Sequence, residues 1–199
     1  AKVGADKWFD PRLYYHAKFA ISPNVLGDYA LAFQAAWRSL SGLTYKVLVT
    51  DLDNTLWGGV IGDDGLEGIE LGPASPNGEA YEAFCQYIKS LKERGIILAV
   101  CSKNDAAIAK QVFTDHPHMP LAVEDFATIT CNWDDKATNL RAIAKDINVA
   151  LSSLVFIDDN PAEIELIRAE LPEIRTLLFD DDPANFIRKL DGSYLLEAP

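Results

Sequence analysis

Residues 45–190 alternate between short apolar runs and helical segments, and this alternation constrains the fold more than any other feature. The apolar runs are unbroken, which is typical of strands covered on both faces of a sheet. Strands that alternate with helices through short connections indicate a doubly wound, Rossmann-like α/β fold with a parallel sheet. The predicted strands are 45–50, 96–101, 127–131, 154–157 and 174–179, and the predicted helices are 79–94, 105–115, 135–148, 161–171 and 183–190.

The residues before the first strand form a separate unit in this interpretation. Residues 1–23 are mixed and aromatic, and 24–40 have helical spacing. We therefore divide the chain into an N-terminal arm and helix (1–44) that packs on the core, and a catalytic domain (45–199). The chain begins with Ala1 and its one methionine is Met119, so we expect an excised or processed piece of a longer protein.

Net charge and hydropathy exclude several classes of function. The formal charge of −12 argues against broad binding to the phosphates of nucleic acid. No apolar run approaches the roughly 20 residues of a membrane span, and no secretory signal is evident. A cytoplasmic protein is therefore expected.

Polar residues gather where the predicted strands end. In open parallel sheets, ligands bind outside the carboxyl ends of the strands. Four strand ends here supply four carboxylates together with hydroxyl and amine groups, so we place the functional site at this edge. The residues in question are Asp51, Asp53 and Thr55; Ser102, Lys103 and Asn104; Asn132 and Lys136; and Asp158, Asp159 and Asn160.

These residue types suit chemistry on phosphate. Asp51 and Asp53 lie on one side of the extended chain, and a hard cation such as Mg²⁺ would relieve their repulsion, with Asp158 or Asp159 completing its site. Asp51 is then the candidate nucleophile on phosphorus and Asp53 the candidate general acid and base. Ser102 and Lys136 are the candidate phosphoryl-binding residues.

The same motifs resemble those of the haloacid dehalogenase (HAD) superfamily over residues 45–180. The four motifs correspond to the run DLDNT at 51–55, Ser102, Lys136 and the pair Asp158-Asp159, in that order. The resemblance implies Asp51 as nucleophile and Asp53 as acid/base. It also implies magnesium held by Asp51, the backbone carbonyl of Asp53, and the Asp158-Asp159 pair. Response-regulator receiver domains carry similar residues, but their phosphoacceptor Asp follows the third strand, where this chain has Asn132.

The segments between the motifs are too short to hold a cap domain. Six of the twelve glycines lie between Gly58 and Gly72, and such a run permits unusual backbone conformations. We expect a Gly-rich flap at 57–72 beside an open, capless site. Substrate contacts are expected from Thr55, Trp57, Gly58, Gly59, Ser102, Lys103, Asn104 and Lys136.

Longer segments are similar to the FkbH-like branch of the capless HAD enzymes. The segments are DLDNTLWGGVIGDDG at 51–65, CSKND at 101–105, HPHM at 116–119, NWDDK at 132–136 and FIDDNPAE at 156–163. The resemblance implies a bifunctional glyceryl transferase and phosphatase. It would take a glyceryl unit from 1,3-bisphosphoglycerate, dephosphorylate it, and load it onto an acyl carrier protein, in the same polypeptide or another, for polyketide synthesis.

Acyl transfer requires a thiol, and the chain offers three. Cys85 lies on an apolar helix stripe and is expected in the core. Cys101 precedes Ser102 and is our first candidate, because a nearby helix N-terminus and Lys103 would lower the pKa of the thiol. Cys131 is the second candidate. Strand alternation, which turns Cys101 away from Ser102, leaves open that neither is catalytic.

Two other functions remain open at this stage. The first is a simple phosphatase of a small phosphorylated metabolite, which needs Asp51 and Asp53 but no thiol. The second is a docking module that has kept the fold without activity.

Overall fold

The computed structural model describes residues 5–180 and 182–196 and shows a five-stranded parallel sheet. Residues 1–4, 181 and 197–199, which belong to the two expected domains, lie outside the described residues. The strands run in the order β3-β2-β1-β4-β5. They are β1 (Val47–Thr50), β2 (Ile97–Ser102), β3 (Phe126–Cys131), β4 (Leu154–Asp158) and β5 (Arg175–Leu178).

Helices connect the strands as the alternating pattern predicts. Each predicted strand and helix of the core is present, with ends shifted by a few residues. The helices are α1 (Ala5–Trp8), α2 (Pro11–Ala17), α3 (Leu26–Leu40), α4 (Ile61–Gly68), α5 (Pro76–Glu93), α6 (Ala106–Asp115), α7 (Lys136–Asp146), α8 (Pro161–Glu170) and α9 (Phe186–Gly192). Single 3-10 turns lie at Pro23–Val25, Val123–Asp125, Leu151–Ser153 and Pro183–Asn185. Three helices were not predicted: α1, α2 and α4.

Both faces of the sheet are covered, which confirms the doubly wound fold class. Successive residues of β1 point to opposite faces, so Leu48 packs in the cluster with α5, α6 and α9, while Val49 packs in the cluster with α7 and α8. Both side chains are fully buried. Burial of such a side chain contributes about 1.5–3 kcal/mol, which fixes the central strand firmly.

The strand order reverses at β1, and this places the candidate residues together. The chain moves from β1 to β2 and β3 on one side and then returns to β4 and β5 on the other. Asp51 follows β1 and Asp158 ends the adjacent β4, so both lie at the crevice that such a reversal creates. Within the described residues the β1–β2 connection holds α4 and α5, and the β2–β3 connection holds α6 and one 3-10 turn. Neither contains a cap domain.

The Gly-rich segment 57–72 contains a helix between two paired ends, and its role as a flap stays a prediction. Gly58 and Glu70 exchange two backbone hydrogen bonds of 3.0 and 2.8 Å, like the ends of a hairpin. Between them runs α4, which is kinked at Gly65 with φ of 66°. Ile61 and Leu71 are buried in the core. The apolar residues spaced among the glycines pack the segment against the core, which its glycine content alone does not indicate.

Helix α3 lies beside the end of the sheet opposite the candidate site. The guanidinium of Arg38 stands 5.1 Å from the ring centroid of Tyr45, which precedes β1. The division of the chain at residue 44 stays a prediction. No helix among residues 5–180 and 182–196 is long and apolar enough to cross a membrane.

We predict that Gly72→Ala destabilises the protein. Gly72 has φ of +94°, and a Cβ there would collide with the His118 ring. The strain should lower the free energy of unfolding by about 1–3 kcal/mol, measured by urea denaturation. The control is Gly27→Ala in α3, where a Cβ meets open space; it should be neutral or stabilise by up to about 1 kcal/mol. Equal stability of the two variants would contradict the strain at Gly72.

Candidate active site

Asp51 leaves the buried strand β1 directly into the crevice. Its backbone N–H donates to the carbonyl of Ile157 in β4 at 3.0 Å. The residue is 7% exposed, and its Oδ2 lies 2.9 Å from Nζ of Lys136. Its Oδ1 is buried and has no hydrogen-bond partner among the described residues. A buried, unpaired carboxylate oxygen is costly unless a ligand completes it, so this atom marks the centre of the site.

Lys136 forms ion pairs with two carboxylates of the site. It is the first residue of α7, whose N-terminus is capped by Asp135. Nζ lies 2.6 Å from Oδ2 of Asp158 in addition to its contact with Asp51. Burial favours the neutral amine, but the charges of Asp51 and Asp158 prevail and raise the pKa of Lys136. Lys136 therefore stays charged and binds both aspartates.

Asp158 and Asp159 complete the acidic group from the end of β4. Oδ1 of the fully buried Asp158 accepts the backbone N–H of Asn160 at 2.8 Å. Burial, followed by the charge of Asp51, raises the pKa of Asp158 to about 7, although Lys136 opposes the shift. The same two causes, in the same order, raise the pKa of Asp159. The site thus holds more negative charge than its single lysine balances.

These carboxylates form a set that fits a divalent cation. One oxygen from each of Asp51, Asp158 and Asp159 lies within 4.8 Å of the others. Three converging carboxylates, one of which has an unpartnered buried oxygen, supply the donors that Mg²⁺ prefers. The side chain of Asp53, which we expected among the ligands, is not in this group. A contribution from its backbone carbonyl stays a prediction.

Asp53 is held instead by three hydrogen-bond donors. Oδ1 accepts from Nε1 of Trp57 at 2.8 Å and from the backbone of Ile61 at 3.1 Å, and Oδ2 accepts from Nδ2 of Asn104 at 2.8 Å. Burial is the largest influence and raises the pKa of Asp53, while the three donors lower it and Asp51 raises it. A carboxyl group that is fixed in position and binds its proton more tightly than usual suits proton transfer.

Trp57 has a different role from the one predicted. We expected it to contact substrate, but the side chain is fully buried and packs edge-on against Phe113 at 6.0 Å. Its indole instead orients Asp53. The signal available in the sequence was the four-residue spacing between Asp53 and Trp57. The turn between them begins at Asn54, which has φ of 53°.

The other predicted contacts of this loop also lie inside. Thr55 is fully buried, and its Oγ1 has no partner in the described part of the chain. Gly58 pairs with Glu70, and the N–H of Gly59 donates to Oδ1 of Asn54 at 2.9 Å. These residues shape the loop that carries Asp53, and their contact with a substrate stays a prediction.

The residues after β2 reach the site from the other side of β1. Ser102 is buried at the end of the strand, and Asn104 contacts Asp53. Lys103 forms an ion pair of 2.6 Å with Glu163 in the first turn of α8. Because β2 and β4 are the neighbours of β1, this pair joins the two segments that flank Asp51. No spacing in the sequence relates Lys103 to Glu163, sixty positions away.

The expectation that a helix N-terminus lowers the pKa of the Cys101 thiol is wrong. The helix begins only at Ala106, and Asp105 already accepts the N–H groups of Ala107 and Ile108. Those amides are therefore satisfied within the protein and do not face a phosphate or a thiolate.

The three thiols lie in different environments, and Cys101 is not the reactive thiol we expected. Cys101 is fully buried on the face covered by α7, and burial raises its pKa instead of lowering it. Cys85 lies in the core as predicted, and its thiol donates to the carbonyl of Leu56. Cys131 is partly exposed; burial, followed by the charge of Asp51, raises its pKa to about 12.

Comparison with known proteins gives structural neighbours. The sequence matches no protein-family model and no curated protein. The N-terminal part of a Bacteroides fragilis protein, which contains a phosphatase domain and was crystallised with Mg, is 37% identical with a TM-score of 0.93. The match covers 98% of this chain and 52% of that one, so this chain spans about half of its relative's length.

More distant neighbours share the fold. A HAD family enzyme from Bacteroides thetaiotaomicron, solved with magnesium and inorganic phosphate, is 13% identical with a TM-score of 0.50, covering 67% of this chain and 93% of that one. A HAD-like family hydrolase from Porphyromonas gingivalis is 15% identical with a TM-score of 0.54, covering 74% and 97%. These two neighbours show that the chain shares their fold, and neither addresses the FkbH-like branch.

Cation binding should depend on pH because Asp158 must lose its proton to bind a cation. With its pKa raised to about 7, Asp158 is protonated at pH 6, so Mg²⁺ affinity should fall as the pH drops through 7. Because folding raises the pKa of Asp158, protonation of this carboxyl group stabilises the folded protein. That contribution to the free energy of unfolding is present at low pH and is lost as the pH rises through 7. Mg²⁺ should therefore raise the Tm more at pH 8 than at pH 6.

Calorimetric titration and thermal unfolding at both pH values test this expectation. Asp158→Asn removes the titrating carboxyl group and should bind Mg²⁺ weakly at either pH. Equal affinity of the unmodified protein at pH 6 and pH 8 would contradict the assignment.

Proposed function

We propose that this chain is a magnesium-dependent phosphatase that uses Asp51 as its nucleophile. The observation that carries the proposal is Oδ1 of Asp51, a buried oxygen without a partner inside a group of three carboxylates. The phosphatase domain and Mg in the Bacteroides fragilis relative support it. Bound Mg²⁺ would offset the charge of the phosphoryl oxygens and lower the repulsion between them and Asp51.

The side chains divide the reaction into two steps. In the first, a carboxylate oxygen of Asp51 attacks phosphorus, the bond from phosphorus to the leaving oxygen breaks, and Asp53 gives its proton to that oxygen. In the second, water gives a proton to Asp53 and attacks phosphorus, which releases inorganic phosphate and restores Asp51. The hydrogen bonds from Trp57 and Asn104 hold Asp53 for both transfers.

The first test of this proposal is Asp51→Asn. The amide is a far weaker nucleophile and ligand than the carboxylate, so phosphate release from acetyl phosphate or p-nitrophenyl phosphate with Mg²⁺ should fall to background. Asp115→Asn removes an exposed carboxylate at the last residue of α6 and should leave the rate unchanged. Full activity of Asp51→Asn would exclude the mechanism.

We further propose that the phosphorylated substrate is 1,3-bisphosphoglycerate and that the glyceryl unit passes to an acyl carrier protein. The FkbH-like segments support this, as does a site that no cap covers. Cys131 is the thiol best placed to hold the acyl group, since it is partly exposed and pairs in register with Ser102. Cys101 lies buried on the opposite face of the sheet.

The transfer balances with water and the carrier thiol as the other reactants. The sulfur of Cys131 attacks the acyl carbon, the bond to the phosphate oxygen breaks, and the thiol proton leaves with that phosphate. Asp51 then removes the second phosphate, and the carrier thiol takes the glyceryl group while Cys131 regains a proton. The raised pKa of Cys131 makes it a weak nucleophile in the free protein, and this favours the simple phosphatase as the alternative. A docking role without catalysis is disfavoured because every motif residue is intact.

Intact mass spectrometry separates the transferase from the phosphatase. After mixing with 1,3-bisphosphoglycerate and Mg²⁺, the protein should gain the mass of a glyceryl group, and Cys131→Ser should not. Cys85→Ser is the matched control and should still gain it. An unchanged mass of the unmodified protein, with phosphate release intact, would exclude acyl transfer and leave the phosphatase proposal standing.

A further inference from the structure

Helix α3 turns an apolar stripe toward solvent. The stripe consists of Leu26, Tyr29, Ala30, Phe33, Ala36, Trp37 and Leu40. These residues recur every three or four positions, so they share one face of the helix, and the rings of Tyr29 and Phe33 stack there at 6.5 Å. The five large side chains are 38% to 87% exposed, whereas Ala35 on the opposite face is buried. An amphipathic helix normally buries its apolar stripe, so this face lacks a cover within the described residues.

The stripe is symmetric about Phe33, its central residue. A two-fold axis through Phe33 that places a second copy antiparallel therefore brings the stripe opposite itself over its whole length. Such a self-complementary patch is what a dimer with two-fold symmetry requires. The members form pairs at equal distances from Phe33: Leu26 and Leu40 at seven positions, Tyr29 and Trp37 at four, and Ala30 and Ala36 at three.

The two edges of the stripe also fit each other in size. Tyr29 and Ala36 are seven residues apart, which is about two helical turns, and so lie along one edge. Ala30 and Trp37 lie along the other edge for the same reason. In the antiparallel pair, the ring of Tyr29 meets Ala36 of the second copy, and the ring of Trp37 meets Ala30 of the second copy. Large side chains that face small ones let two helices interdigitate at an axial distance of about 8–10 Å.

The area and the charge of this surface suit a second copy. With about 200 Å² for each large side chain, the exposed fractions leave roughly 600 Å² on the stripe. Two stripes would bury about 1,200 Å², the lower limit of specific interfaces. Residues 1–44 contain five Lys or Arg and three Asp, a charge of +2, so the remaining residues carry −14 of the total of −12. A contact through α3 therefore joins two copies where they repel each other least.

We propose that the stripe of α3 is the interface of a homodimer in which the two helices pack antiparallel about Phe33. This interface lies at the end of the sheet opposite Asp51 and does not depend on the phosphatase proposal. Because the buried area is at the lower limit, the dissociation constant should be on the order of 10 µM. Added salt should tighten the dimer, because it screens the repulsion between the acidic domains and does not weaken an apolar contact.

Analytical ultracentrifugation at protein concentrations from about 1 to 200 µM brackets that constant and tests the dimer. Phe33→Glu places two like charges at the axis and should weaken association at least about a hundredfold. Phe33 is exposed in the single chain, so the circular dichroism of this variant should not change. The matched control is Gln34→Glu, which adds the same charge at the next, exposed position outside the stripe and should still dimerise.

Cysteine cross-linking tests the antiparallel register. The background is Cys131→Ser, which removes the partly exposed native thiol. Phe33→Cys should form a disulfide between two copies under mild oxidation, because the axis places the two residues together. Leu26→Cys should not, since its counterpart in the second copy lies about 20 Å away along the helix, too far for a disulfide.

Three results of the ultracentrifugation would overturn the homodimer: a single chain at every concentration, unchanged association of Phe33→Glu, or a dimer that weakens as salt is added. Cross-linking of Leu26→Cys in place of Phe33→Cys would also overturn it, because the helices would not be antiparallel about Phe33. If Phe33→Glu alters the circular dichroism, the two cysteine variants decide.

Discussion

The contact of Lys136 with Asp51 and Asp158 is the interaction on which the candidate site depends. One ammonium, 2.9 and 2.6 Å from two carboxylates, holds the end of β1 to the end of β4 and to the start of α7. Buried ion pairs add little net stability, but the loss of one partner leaves an uncompensated charge and is strongly destabilising. The contact therefore specifies geometry more than it adds stability.

The same contact explains why the site is incomplete without a ligand. Lys136 occupies one oxygen of Asp51 and leaves the other without a partner. Asp158 resolves part of the excess charge by binding a proton near neutral pH. A cation would replace that proton, so metal loading and proton release are coupled in this fold. The cost of this unbalanced charge is offset by the surrounding strands, which are buried on both faces.

Much of this arrangement could be predicted from the sequence, and the failures have physical causes. The unbroken apolar runs and their order along the chain predict which residues meet at the carboxyl edge of the sheet. They predict that Asp51, Lys136 and Asp158 lie together there. Strand alternation placed Cys101 and Ser102 on opposite sides of β2, but the sequence could not show which side is enclosed by the core. Cys101 was expected to be reactive because of its neighbours in sequence, but the pleat of β2 turns it into the core.

The glycines of segment 57–72 left its packing undetermined for a related reason. Glycine content predicted a flap but not the helix within it, and Ile61 and Leu71 bury the segment against the core. Trp57 was expected to contact substrate, and its indole donates a hydrogen bond to Asp53. The sequence pattern predicts which residues lie at a strand end. Packing decides which of them face a ligand and which support the residues that face it.

The unequal burial of the three thiols has a practical consequence. Cys85 and Cys101 are enclosed by the core, whereas solvent reaches Cys131 at the border of the crevice. The protein thus carries one solvent-accessible thiol whose pKa is raised by the charge of the nearby Asp51 as well as by burial. A fluorophore or spin label attached there would sense the arrival of a ligand without a cysteine having to be introduced, and its bulk would restrict entry from the β3 side alone.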